Sequence, residues 1–160
     1  MFEIGETVVH PQHGVGKIVK LEEREFERGK TRRYYEISMP DGSTVWVPVD
    51  LSDTGLRRLA SQRALADCRR ILTSQPLPLN EDGHFRQSEL VAHLKKGTIA
   101  AQCEVVRDLS SFVARKPAYG AITNFREAVL RVLCQEWALV EGITTSEAAY
   151  EINSLLGNNE

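Results

Sequence analysis

The stretch Thr7-Val8-Val9-His10-Pro11-Gln12-His13-Gly14-Val15-Gly16-Lys17-Ile18, closed later by Thr44-Val45-Trp46-Val47-Pro48-Val49, decides the fold. The first block reads as a strand, a Pro/Gly corner and a second strand. The later block alternates apolar and polar residues and then stops at a proline. Together they describe a small, tightly turned β-module. A module this size rarely encloses an active site and more often presents a strand edge to a partner.

Outward from these blocks the β pattern continues. Val15 to Phe26 carries Val15, Ile18, Val19 and Leu21 and predicts a long bent strand. Glu27-Arg28-Gly29-Lys30 is a loop centred on glycine. Arg33 to Met39 alternates Tyr35, Ile37 and Met39 against Tyr34, Glu36 and Ser38, and Pro40-Asp41-Gly42 marks a turn. Strands at this spacing predict a small, bent barrel of the SH3 or Tudor type.

After Pro48 the period changes. Val49 to Gly55 reads as a polar connector. Ser61 can cap a helix bearing Leu65, Cys68, Ile71 and Leu72 on one face. Ser74-Gln75-Pro76-Leu77-Pro78 breaks it. A short helix is predicted near Phe85 to Lys96. Gly97 ends it and Thr98 caps the next, whose stripe is Ile99, Cys103, Val106, Leu109 and Val113. Pro117-Ala118-Tyr119-Gly120 is a loop. Phe125, Val129, Val132, Leu133, Trp137 and Val140 mark a longer helix. Thr144-x-x-Glu147 is a capping box for a last helix carrying Ala148, Ile152 and Leu155. The expected class is α+β, with β preceding α: a Tudor/SH3-like β-barrel over residues 1–55, then a compact five-helix domain over 56–160.

Composition narrows the function. The chain of 160 residues is 42% hydrophobic, enough for real cores and too much for disorder. No apolar run reaches the roughly 20 residues of a bilayer span. Met1 to Glu6 lacks the basic start and apolar core of a signal peptide, so a cytoplasmic protein is expected. Cys68, Cys103 and Cys134 stand far apart among helix formers and read as small buried hydrophobes. Residues 57–131 carry 13 Lys/Arg against 7 Asp/Glu, whereas residues 132–160 carry no Lys/Arg and 5 Asp/Glu. A positive middle either meets an anionic partner or is a solvated helix surface.

Enzyme motifs are lacking: there is no GxSxG, GxxxxGK[ST], HExxH or GxGxxG. Glu22-Glu23 and Glu81-Asp82 pair carboxylates only in exposed, charge-rich settings. His10 and His13 have no third ligand nearby in sequence, so a turn with one packed and one solvated imidazole is expected, with no metal and no cofactor. Trp46 is the side chain of interest. If Val45 and Val47 fill the barrel, Thr44 and Trp46 face outward. The indole then either marks an interface or packs under the first helix.

Gly5-Glu6-Thr7-Val8-Val9-His10-Pro11, His13-Gly14-Val15-Gly16, Tyr34-Tyr35 and Val45-Trp46-Val47-Pro48 resemble the CarD/CdnL family of bacterial transcription regulators. Pro76-Leu77-Pro78 and Glu104-Val105-Val106-Arg107-Asp108-Leu109 extend the likeness into the helical half. The barrel is also similar to the polymerase-interacting module of the transcription-repair coupling factor. The resemblance implies a Tudor-like domain that pairs an edge strand with a lobe of the RNA polymerase β subunit. It implies a helical domain over promoter DNA at the upstream edge of the melted region, acting on open-complex stability. By position the polymerase contact falls on Thr44, Val45, Trp46, Val47 and Arg24. Family members often have arginine where this chain has Trp46. The family tryptophan that wedges into the minor groove would fall on Glu81, Asp82 or Gly83, none of them aromatic. Phe85 is the nearest candidate wedge or is core. His84, Arg86, Lys95 and Lys96 complete the DNA-contact candidates. The expectation is thus a monomeric, non-enzymatic transcription regulator binding the polymerase β subunit and promoter DNA. Its rival is an adaptor that holds polymerase, ignores DNA and uses its helices for another protein.

Overall fold

Residues 2–50, 54–115 and 120–157 are described in a computed structural model. Five strands come first: β1 (Thr7–His10), β2 (Gly14–Glu27), β3 (Lys30–Ser38), β4 (Thr44–Pro48) and β5 (Arg57–Arg58). They form one antiparallel sheet in the order β4-β3-β2-β1-β5. Val8 on β1 and Val47 on β4 have two strands, β2 and β3, between them, yet share a core with Ile18, Tyr35, Ile37 and Met39. A flat sheet would hold them roughly 14 Å apart, so the sheet curls around that core, as the Tudor-like expectation requires.

Two irregularities in β2 produce the curl. Ile18 faces Ile37 and Lys20 faces Glu36, so Val19 is an extra, bulged residue. The bulge shifts the inward parity by one, and Ile18 and Leu21 both reach the core. A second shift lies between Arg24 and Glu27. Beyond it, the far ends of β2 and β3 project as an exposed two-stranded arm.

Gly14 and Gly16 are required by contact. Gly14 has φ 95°, a left-handed backbone that a residue with a Cβ rarely adopts, and Gln135 Oε1 closes over it. A Cβ on Gly16 would lie 2.7 Å from both Ile37 and Met39. The Pro/Gly corner is therefore shaped by the elements that close over it.

The helices are α1 (Gln62–Thr73), α2 (Gly83–Leu94), α3 (Ile99–Arg115), α4 (Gly120–Glu141) and α5 (Thr145–Gly157). Their starts follow sequence chemistry. The Ser61 hydroxyl accepts the Ala64 N–H at 3.1 Å, and Thr98 accepts that of Ala101 at 3.1 Å. Thr144 and Glu147 form the reciprocal capping box. α2 begins at Gly83 rather than near Phe85, because Asp82 accepts the N–H groups of His84 and Phe85. On α3 it is Phe112 that takes the buried end of the stripe, while Val113 is half-buried. Of the loop expected at Pro117 to Gly120, only Gly120 is described, and it opens α4. Residues 51–53 of the connector also lie outside the described residues.

A single helical core gathers Leu65, Leu72, Leu109, Leu133, Trp137 and Ile152. All three cysteines are free and buried within it. Burial raises the Cys134 thiol to about 11. The Cys103 thiol is pushed well up by its hydrogen bond with Cys68 and by burial. Neither sulfur is an available nucleophile.

Sheet and helices are joined by a small apolar seam of Val9, Val15, Val132 and Leu59. Beside it lies a buried ion pair. Glu136 on α4 is fully buried and receives both Arg57 Nη atoms at 2.6 Å, plus the Ala60 N–H at 2.8 Å. Gln102 on α3 accepts from Arg57 Nη2 at 3.0 Å. A bidentate, fully satisfied pair of this kind fixes geometry more than it adds net stability. It also explains β5: Arg57 and Arg58 pair with Val9 and Val8, so the sheet runs past residue 55.

Candidate functional site

β4 is an edge strand. It pairs with β3 on one side, and no strand among the described residues pairs with the other. The direction of its backbone groups follows from register. Met39 donates to the Ser43 carbonyl at 2.9 Å, and Val49 donates to the Arg33 carbonyl at 3.0 Å. Hydrogen-bonded pairs recur at every second residue of an antiparallel ladder. Val45 and Val47 therefore bond β3. The N–H and C=O of Thr44 and Trp46 turn to the open side, joined by the Pro48 carbonyl. Pro48 is tolerated because its missing N–H would have pointed away from β3.

Beside this edge lies an aromatic and cationic patch. Trp46 is half-buried, and the Arg24 guanidinium carbon sits 5.3 Å from its ring centroid. Phe26, 56% exposed, stacks 5.8 Å from Trp46 and edge-on to Tyr34 at 5.0 Å. Arg24 also donates to Glu22 at 2.9 Å. The indole N–H is shut off from water and makes no full hydrogen bond, though it is near enough to Glu22 to act on its charge. Glu22 is held below the usual carboxylate range, chiefly by Arg24 and further by the indole. The structure thus unites the sequence candidates Arg24, Thr44 and Trp46 on one border. Val47 is turned into the core and Val45 packs against it. Phe26 and Tyr34 join the patch although sequence reading did not place them there.

Trp46 does not lie beneath α1. It lines a cleft of about 630 Å³ between the sheet and the helices, with His10, Pro48, Val91, Leu94 and Phe125 among its walls. His10 Nδ1 accepts the backbone N–H of Gln12 at 3.1 Å and of His13 at 3.3 Å. Burial, and then the neighbouring His13, lower the His10 pKa to about 4. His10 is half-buried and His13 exposed, matching one packed and one solvated imidazole.

The DNA-contact candidates divide. His84 and Lys95 share one face of α2, along a shallow groove with Ser88 and Val91. Phe85 is 59% exposed and so is not core; its ring lies 5.9 Å from that of His84. Lys95 and Lys96 are exposed at the helix end. Arg86 turns the other way. Its Nη1 donates to the Asn80 and Glu81 carbonyls, and its guanidinium stacks 4.6 Å from the Phe112 ring.

Much of the positive middle is similarly committed inside the fold. Arg57 pairs with Glu136, and Arg69 with Glu141 and Glu151. Arg107 pairs with Asp108 in the interior, whereas the Arg70–Asp67 and Arg126–Glu127 pairs are open to solvent. Arg107 also reaches Ser74 at 2.8 Å, while Asp108 accepts the Leu77 N–H at 2.9 Å. The Arg107-Asp108 pair thereby pins the proline-bearing connector. A charged residue inside an apolar helical stripe, as at Glu136 and Asp108, was the sequence signal for these anchors.

Residues 2–60 match the model of the CarD-like/TRCF RID domain. Over 153 residues the chain is 29% identical to a Bacillus subtilis (strain 168) protein named "Putative transcription factor YdeB". That likeness covers 92% of this chain and 97% of the relative. No described helix is long and apolar enough to cross a membrane. The resemblance read from Gly5 to Pro11 and Val45 to Pro48 is borne out over residues 2–60: the curled sheet and its open β4 edge match the CarD-like/TRCF RID domain.

Proposed function

We propose that this protein regulates transcription by docking its β4 edge on the RNA polymerase β subunit. One observation carries the reading: an unpaired strand edge, with the Thr44 and Trp46 backbone turned outward, lies beside an arginine and three aromatic rings. Such an edge adds a partner strand through main-chain hydrogen bonds, while side chains at the border supply specificity. The reading is non-enzymatic, and no catalytic constellation accompanies the edge among the described residues. The helical domain then reaches upstream promoter DNA with the α2 face of His84, Phe85, Lys95 and Lys96, and so modulates open-complex stability. Phe85 serves as the apolar wedge in place of the family tryptophan. The test is capture of the polymerase β lobe by the full chain: wild type binds and Trp46→Ala or Arg24→Glu does not. Full-strength binding by both variants overturns the reading.

The adaptor reading is favoured by the committed arginines and by Arg86 turning inward. A forked promoter duplex separates the two. DNA contact predicts affinity that falls steeply with salt. The adaptor predicts no saturable binding.

A further inference from the structure

α3, α4 and α5 enclose a cavity of about 430 Å³ that shares no lining residue with the β4 patch or the α2 groove. Its wall carries three arginines: Arg107, Arg115 and Arg126. Arg107, Ser110, Ser111 and Arg115 follow a three-to-four-residue spacing and so share one face of α3. Arg126 reaches in from α4.

The cations are partly, not wholly, balanced. Arg107 is buried; its Nε donates to Asp108 at 2.9 Å and its Nη1 to Ser74 at 2.8 Å. Arg126 Nε donates to Ser110 Oγ at 2.9 Å, and its Nη1 to Glu127 at 2.8 Å. The Glu127 side chain is 60% exposed, so water and salt screen that pair. Arg115 donates from Nε to the Ser111 carbonyl at 3.4 Å. Three guanidinium groups thus face two carboxylates, one of which is open to solvent. A surplus of fork-shaped donors in a pocket, with two hydroxyls beside them, is the chemistry that recognises phosphate oxygens. Neither the polymerase contact nor the α2 face uses these groups.

We propose that this cavity binds a phosphate group through Arg115, Arg126 and the Ser110 and Ser111 hydroxyls. Arg107 sets the floor. The phosphate belongs either to a small phosphorylated molecule or to a nucleic-acid backbone, and titration distinguishes the two sources. The probes are inorganic pyrophosphate, ADP and a blunt DNA duplex, each titrated calorimetrically into the full chain. The expected result is saturable binding of at least one probe, weakened about tenfold or more by Arg115→Gln and by Arg126→Gln. Arg63→Gln, which removes an exposed cation on α1 outside the cavity, leaves that binding unchanged. Saturation by pyrophosphate and ADP assigns a small ligand, whereas saturation by the duplex alone, weakened by both arginine variants, assigns a backbone phosphate. Arg115 is exposed, so its variant folds, and an unchanged thermal melt verifies this. Absence of saturable binding by all three probes, or unchanged affinity in both arginine variants, overturns the proposal.

Discussion

Trp46 is held by its neighbours without being enclosed by them. Arg24 covers one part of the ring, Phe26 another, and the rest lines the cleft toward α2 and α4. Because the side chain is half-buried, Trp46→Ala is expected to cost stability only about 1–2 kcal/mol, at the low end for large truncations. Binding to the polymerase β lobe should weaken far more, by tenfold or greater, as for an aromatic interface anchor. A denaturant melt beside a titration with the β lobe checks both halves. His10 gives a second prediction at this scale. Its pKa of about 4 in the fold lies below the ordinary imidazole value of 6.5. Between these values the unfolded chain binds more protons, so stability falls as pH drops from 6.5 toward 4 and levels below that. In His10→Asn, which keeps an acceptor for the Gln12 N–H, the slope in that window should flatten. Urea melts from pH 7 to 4 measure it.

At the scale of elements, β4 is built so that one residue can be altered for its open side alone. Thr44 directs its N–H away from β3 and Val45 directs its N–H toward it. Thr44→Pro should leave the β3–β4 ladder intact and abolish strand addition. Val45→Pro should break the ladder and lower stability by about 1–3 kcal/mol through the lost bond to β3. Melts and β-lobe titrations of the two variants separate docking from folding. The Arg57–Glu136 pair is the other decisive contact between elements. Glu136→Ala leaves a buried guanidinium without its partner, and a loss of about 3–5 kcal/mol is expected in a urea melt. Much of the element plan was legible in sequence, because local chemistry writes it. Ser61, Thr98 and the Thr144-Glu147 box each place a helix start. Alternation at Tyr35, Ile37, Val45 and Val47 places the strands. β5 was not legible: two residues show no alternation, and Arg57 is held by Glu136, 79 positions away. The start of α2 is less legible, because Asp82 beside Glu81 reads as an exposed charge and its capping role shows only in its bonds to the His84 and Phe85 N–H groups.

For the molecule as a whole, a seam of four apolar residues and one buried ion pair joins a curled sheet to a helical bundle. That junction gives the open β4 edge and the α2 face a common frame. The edge itself was visible in the Thr44 to Pro48 pattern. The Arg24, Phe26, Tyr34 and Trp46 grouping was not, since the register shift between Arg24 and Glu27 breaks the parity that would place Phe26. The net positive middle misled in the other direction: counting charges does not show which arginines are paired inside the fold. The basic residues that remain suited to DNA are few, and Lys95→Gln/Lys96→Gln should lower the log–log salt slope of duplex binding by about 2. Salt-titrated fluorescence anisotropy reads this slope.

The most direct test of the docked edge is amide hydrogen exchange of the full chain, with and without the polymerase β lobe. The Thr44 and Trp46 amides, open in the free protein, should slow by at least about tenfold in the complex. The Val45 and Val47 amides, already bonded to β3, should change little. A bound complex in which Thr44 and Trp46 exchange as fast as in the free protein would contradict the account.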